Sequence, residues 1–279
     1  MSAFSGKRAA ASGARRALKW AAGAADTVLP TRGMVVLAYH RVGGHGTTQM
    51  DLPLDRFRDQ MAQLAGSARV LSMDAALAEY SDSDAADPDP CVVLTFDDGT
   101  ADFAEHVVGV LDEFALPATV YVATGPVVSG ERWPDGAAPL SPAALSDVAS
   151  HRLVTVGNHT HGHLLLDREA SSAVAADLDR SIEVLADLTG RIPGHFAYPK
   201  ALAPSSVNDE LIRQRFFSAA VAGTQPNRAG RTDRYRLARS PIQRSDTPRD
   251  VAHKCAGGMR LEDDVRRLAQ RVTYRGART

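Results

Sequence analysis

Six short apolar runs constrain this chain more than any other feature. They read MVVLAY (34–39), CVVLTF (91–96), ATVYVA (118–123), LVTVGN (153–158), GHFAY (194–198) and SAAVAG (218–223). The runs are Val-rich and continuous rather than alternating, the pattern of parallel strands covered on both faces. Between them, helical periodicity is predicted at 54–65, 101–115, 141–150, 169–189, 205–215 and 261–271. The clearest helix, 169–189, places Val174, Leu178, Ile182, Leu185 and Leu188 near helical spacing. Such alternation specifies an α/β chain with a parallel sheet. No Gly-rich dinucleotide loop follows an early strand, which favours a barrel over an open sheet.

The polar residues gather where the runs stop. YH ends the first run, TFDDG the second, NHTHGH the fourth and FAYP a later one. In a barrel these ends converge on the C-terminal face, where barrel enzymes keep their active sites. Adjacent Asp97 and Asp98 can take different roles, one binding a cation while the other accepts a proton. Taken alone, DDG reads equally as a turn or a helix cap. His159 and His163 lie four residues apart. One Asp oxygen and two imidazoles make three protein ligands and leave a fourth position to water, as in catalytic zinc sites. Cys91 and Cys255 are not spaced for a closed structural site. His161 points another way on any regular backbone and is expected outside the ligand shell. An Asp-His-His set suits one divalent ion, with Zn²⁺ expected and Co²⁺ or Ni²⁺ as alternatives.

Composition narrows the class. The 279 residues are 44% hydrophobic, enough for a large core. The 32 basic and 33 acidic residues nearly cancel, so a nucleic-acid partner is not expected. Two cysteines make no disulfide framework and fit a cytoplasmic location. Residues 1–33 form a basic leader, with Lys7, Arg8, Arg15, Arg16, Lys19 and Arg32 against Asp26. It has no continuous apolar core of the kind a secretory signal needs. Arg8, Arg15 and Lys19 would share a helical face, which suggests weak peripheral contact with an anionic membrane. Residues 34–279 are expected to form the catalytic domain. Within it, 80–90 reads as an acidic surface loop and 124–142 as a long loop framing a site.

TFDDG followed by HTHGH resembles the polysaccharide deacetylases, the NodB-homology carbohydrate esterases. The resemblance runs from about residue 34 to 245. It implies an irregular (β/α) barrel of about seven parallel strands and hydrolysis of an N-acetyl group, usually on an aminosugar, so a carbohydrate substrate. It also implies Asp97 as the general base and Asp98, His159 and His163 as the metal triad. The third family motif departs from its common form: Ala197 stands at the Arg position and Lys200-Ala201 at Tyr-Gly. Asp97 therefore lacks its usual orienting cation, and His195 or Arg239 is the expected substitute. The family's C-terminal Leu-x-His, which supplies the acid, is absent. LAYHRV (37–42) instead resembles the opening of the circularly permuted exopolysaccharide de-N-acetylase branch, which implies His40 as the acid, with His195 as the rival. Tyr198, Pro199, Lys200 and Trp133 are the expected substrate contacts, a backbone N–H near Lys200 serving the oxyanion. Phe196 and Tyr198 also fit plain core and cleft wall, and Trp133 also fits a loop anchor. Two other functions fit the same residues: a deformylase or amidase on a lipid- or nucleotide-linked sugar, and a catalytically silent carbohydrate-binding barrel.

Overall fold

The apolar runs pair in parallel and close on themselves. In a computed structural model, residues 32–44, 46, 48–80 and 88–273 are described, together with 17 and 19. The strands are β1 (Met34–Tyr39), the outlying pair β2 (Arg41–Val42) and β3 (Asp51–Leu52), β4 (Val70–Leu71), β5 (Cys91–Phe96), β6 (Ala118–Val122), β7 (Val154–Asn158), β8 (His195–Ala197), β9 (Ser218–Ala222) and β10 (Leu237–Pro241). The order β1-β10-β9-β8-β7-β6-β5, sealed by β1 against β5, makes a seven-stranded all-parallel barrel, with β4 added outside β5. The expected NodB-like (β/α) barrel is the fold observed. Both β1 and β5 are buried along their whole length, which is why their sequences do not alternate.

Helices jacket the barrel: α1 (Leu54–Ser67), α2 (Met73–Tyr80), a π-turn (Phe103–Val107) running into α3 (Val108–Phe114), α4 (Thr124–Ser129), α5 (Pro142–Ser150), α6 (Ser171–Thr189), α7 (Ser206–Arg215), α8 (Pro248–Cys255) and α9 (Arg260–Thr273). Their starts follow local chemistry. The Ser141 and Ser205 hydroxyls accept from Ala144 N–H and Asn208 N–H, and Thr247 with Asp250 forms a capping box. Helix α6 buries Val174, Leu178 and Leu185 of the face its periodicity defined, half-buries Ile182 and Leu188, and buries Val184 beside them. Each buried side chain contributes about 1.5–3 kcal/mol by leaving water. Around β1 and β5 the core is aromatic: Tyr39 stacks on Phe96 with centroids 5.1 Å apart, and Phe57 and Phe103 meet Phe96 edge-on.

Some expectations change. Strand β10, sequence LARSP, was not among the six predicted runs, because Arg239 and Ser240 interrupt its apolar pattern although both are buried. Helices α2 and α4 were likewise unpredicted, each being short, whereas the stretch around His253 reads as helix and forms α8. The loop predicted at 124–142 begins as α4. In the acidic stretch 80–90, Tyr80 closes α2, and 81–87 lie outside the described residues. The leader also lies outside them, except for residues 17, 19, 32 and 33. Lys19 contradicts its predicted place on an exposed cationic face. It is buried, hydrogen-bonds Ser245 at 3.0 Å and pairs with Asp246. Among the described residues no helix is long and apolar enough to cross a membrane.

Candidate active site and metal centre

Parallel register brings the strand ends level. Tyr39 pairs with Phe96 and Val122 with Asn158, so the residues that follow meet at one rim: His40 after β1, Asp97 and Asp98 after β5, and His159 after β7. The Asp97 N–H donates to Tyr39 O at 3.0 Å and the His159 N–H to Val122 O at 3.0 Å, extending each ladder by one bond into the site.

Two adjacent carboxylates diverge because the backbone turns between them. Asp98 has φ 75° and Gly99 φ 74°, a left-handed pair in which Asp is tolerated and Gly is unstrained. A Cβ on Gly99 would also lie 2.9 Å from the Val122 side chain. The turn sends Asp98 toward the histidines and leaves Asp97 facing the barrel axis. Asp98 Oδ1 lies 3.6 Å from His159 Nε2 and 3.6 Å from His163 Nε2, and the three ligand atoms fall within 4.8 Å of one another. Tetrahedral coordination with bonds of about 2.0–2.1 Å sets donors about 3.4 Å apart, so the group fits a small divalent ion.

The two imidazoles are also in the form that ligates, whereas burial raises the Asp98 pKa from its ordinary value. His159 Nδ1 lies 2.7 Å from Ala197 O, which assigns the ring proton to Nδ1 and leaves the Nε2 lone pair for the ion. Burial lowers the pKa of His159 despite its carboxylate neighbours, and burial with the His159 charge lowers His163 to about 2. Both imidazoles are therefore neutral at physiological pH, the form that ligates. Thr160 (φ 70°) and His163 (φ 54°) are left-handed, and the loop holding them is tied down from α6. Asp177 accepts from His161 N–H and Gly162 N–H, each at 2.7 Å. Asn158 accepts from Thr160 N–H at 2.8 Å and donates to Ser181 at 2.7 Å. His161 turns away, its Nδ1 2.8 Å from the Thr124 hydroxyl. Asp177 and Ser181 were missed in the sequence. Their signal was polar residues four apart on the inward face of an amphipathic helix.

Asp97 is held by Arg239. The guanidinium spans both carboxylate oxygens, Nη1 on Oδ1 at 2.5 Å and Nη2 on Oδ2 at 2.8 Å. Arg239 pairs in register with Val36, well below the rim, so its side chain climbs the barrel interior to reach Asp97. Burial alone would raise the Asp97 pKa. The Arg239 charge, with smaller contributions from His159 and His40, outweighs it and holds the carboxyl well below the usual range. Of the two substitutes expected for the missing Arg, the geometry selects Arg239. His195 instead bonds Ser218 Oγ and Asp74 Oδ1, each at 2.9 Å, and lines a different cavity.

His40 Nε2 lies 3.9 Å from Asp97 Oδ2. Burial lowers its pKa to about 4, with Arg239, Lys200 and Arg41 adding to the shift against the pull of Asp97. The imidazole is thus neutral at rest rather than half-charged near neutrality. His40, Asp97, Asp98, His159, His163 and Lys200 line one cavity of 330 Å³. Tyr198 does not fit the expected role of substrate contact. It is fully buried, and its hydroxyl donates to Asp209 at 3.2 Å and accepts from Arg236 at 2.9 Å. Pro199 is buried as well. Trp133 meets His163 edge-on, centroids 5.2 Å apart, and so packs against a candidate ligand.

Residues 84–214 match the family model for polysaccharide deacetylase, and the resemblance seen in the motifs stands. Among solved structures, IcaB from Ammonifex degensii superposes with TM-score 0.69 at 24% identity, over 83% of this chain and 99% of that one. The Streptococcus pyogenes deacetylase PplD, in complex with acetate, gives 0.69 at 18%, over 81% and 99%. A de-N-acetylase from Aggregatibacter actinomycetemcomitans gives 0.63 at 18%, over 77% and 96%. No curated protein matches the sequence. The family match supports a deacetylase-type hydrolase with a carbohydrate substrate.

Proposed function

We propose that the protein removes N-acetyl groups from an aminosugar glycan, using one divalent ion held by Asp98, His159 and His163. Zn²⁺ is the ion this donor set suits best. One observation carries the reading: a neutral-imidazole and carboxylate donor group within 4.8 Å stands beside a separate, ionised carboxylate on the same rim. An ion held there would polarise the amide carbonyl and lower the pKa of a water. Everything else falls to the chain's own groups.

Asp97, fixed by two Arg239 hydrogen bonds, accepts the proton of the attacking water. Its low pKa keeps it ionised and makes it a weak base, so lowering the water's pKa is the greater part of the activation. The leaving amine needs a proton. We assign that task to His40, the imidazole on the same rim. Because His40 is neutral at rest, it must be loaded during turnover, and Asp97 at 3.9 Å is a donor within reach once it holds the water's proton. A backbone N–H near Lys200, at the cavity wall, is the proposed oxyanion donor. The unpaired Cys91 and Cys255 support a reducing, cytoplasmic setting.

The test is metal analysis of the purified chain followed by acetate release from chitin, peptidoglycan and β-1,6-linked N-acetylglucosamine oligosaccharides. Bound ion with acetate release is expected. Formate in place of acetate would reassign the enzyme to deformylation. Bound ion with no release from any substrate would make it a binding barrel.

A further inference from the structure

Helix α9 lies outside the matched family segment and presents two unlike faces. Its inward face buries Glu262 and Asp263 and places Arg266 in the wall of the catalytic cavity. Its outward face exposes Leu261 (41%), Val265 (44%) and Leu268 (63%), spaced four and three residues apart in a single stripe. The other exposed large apolar residues, Leu54, Val128, Ile192, Val207 and Phe217, stand on separate elements, so among the described residues α9 alone carries such a row. An apolar row left in water on the most amphipathic of the described helices calls for something to cover it.

Charge decides between occupants. From residue 265 to 279 the sequence holds Arg266 and Arg267, both paired with Asp263, then Arg271, Arg275 and Arg278 and no acidic residue, while the exposed Asp264 adjoins the stripe. The N-terminal stretch is basic too, and its Lys19 lies 3.6 Å from Glu262 of α9. A second copy of the same face would set these cations against one another. Three half-exposed side chains also offer far less than the ~800 Å² per partner of a stable dimer. An anionic lipid surface satisfies both features, the apolar stripe entering the acyl boundary and the basic C-terminal sequence drawn to the headgroups.

We propose that α9 is an interfacial helix that seats Leu261, Val265 and Leu268 on an anionic membrane surface. The basic leader assists and is not the anchor, since Lys19 is committed to the interior. Arg266 leaves the helix roughly 140° round from Leu261, so docking sets the cavity wall within about one helix diameter, 10–12 Å, of the lipid.

The experiment is co-sedimentation of the full chain with phosphatidylcholine vesicles, with and without phosphatidylglycerol, at low and high salt. Binding is expected only with phosphatidylglycerol and weaker at high salt. Leu268→Gln should lower the partition about tenfold, and Leu261→Gln combined with it further. Both positions are exposed, so melting temperature and acetate release from a soluble oligosaccharide should be unchanged. A variant with Lys7, Arg8, Arg15 and Arg16 changed to Gln should keep stripe-dependent binding. The proposal is overturned if the chain does not bind anionic vesicles or if the stripe variants bind like wild type. It is equally overturned if sedimentation velocity shows a dimer that Leu268→Gln dissociates, which would make a second copy the occupant.

Discussion

The two ends of the barrel hold the same kinds of side chain and could hardly differ more in how they hold them. At the N-terminal end His195 bonds Ser218 on one nitrogen and Asp74 on the other, each at 2.9 Å. The order Ser-His-Asp is that of a hydrolytic triad, yet Ser218 is fully buried and Asp74 is 68% exposed, so no substrate carbonyl reaches the hydroxyl. At the C-terminal end three histidines and two aspartates face a cavity with capacity to spare. His40 Nδ1 has no partner among the described residues, His159 and His163 turn their Nε2 atoms toward Asp98, and three of the loops are left-handed at non-Gly residues. Saturated hydrogen bonding makes a clip, whereas unsaturated groups on a strained and braced backbone make a site.

The sharpest way to break this contrast is to remove a donor at the C-terminal end. His163→Ala should strip the ion and lower turnover by roughly 10³-fold or more, since several kcal/mol of charge stabilisation goes with it. His161→Ala should leave metal content near wild type, because that ring bonds Thr124 instead. Equal metal loss in the two variants would undo the ligand assignment. Asp97→Asn comes next. It should fold, keep the ion and lose about 10²-fold or more in turnover. Retained activity there would move the base elsewhere.

The pair that separates the ends most clearly was only partly legible. The strands, the barrel and the rim residues His40, Asp97, Asp98, His159 and His163 could be read because strand ends in a parallel barrel must converge, and the apolar runs marked those ends. Arg239 could be named as a substitute cation but not placed. It sits in the one barrel strand whose sequence looks polar, and only the register with β1 shows that it reaches Asp97 from below. Tyr198 was misread for the converse reason. An aromatic beside a motif looks like a cleft wall, and nothing local announces Asp209 and Arg236, which claim its hydroxyl from α7 and the loop before β10. His40's suppressed basicity was illegible too, since burial and two cations from distant elements, with the adjacent Arg41, produce it.

Arg239 gives a smaller effect with a definite sign. Its charge lowers the Asp97 pKa, and catalysis needs Asp97 ionised. Weakening the pair must therefore raise that pKa and move the acid limb of the kcat/KM profile to higher pH. Arg239→Lys keeps a charge but loses the fork, so a modest upward shift with retained fold is expected. Removing the charge in Arg239→Met would strand a buried carboxylate, a cost of about 3–5 kcal/mol in stability. The same sign holds for folding: the depressed Asp97 pKa stabilises the native state above the unfolded carboxylate range, and this stability is lost as pH falls. An acid limb that does not move in Arg239→Lys would detach Asp97 from that limb.

The smallest effect on turnover belongs to His195, and it tests the contrast from the other side. His195 precedes FAYP and was the rival to His40 as the acid. If it is a clip, His195→Ala should leave kcat and its pH profile near wild type, because neither its ring nor Ser218 lines the catalytic cavity. Its cost should appear in stability, about 1–3 kcal/mol for a buried Ser218 hydroxyl left without a partner. Asp74 adds little to that figure, since its exposed carboxylate regains water. His40→Ala should do the reverse, losing most of kcat while melting near wild type, because among the described residues its Nδ1 has no partner to forfeit. Thermal melts and pH–rate profiles of the two variants, measured side by side, separate the roles. A His195→Ala enzyme that melts normally and turns over poorly, beside an active His40→Ala, would exchange the two histidines and move the proton donor to the other end of the barrel.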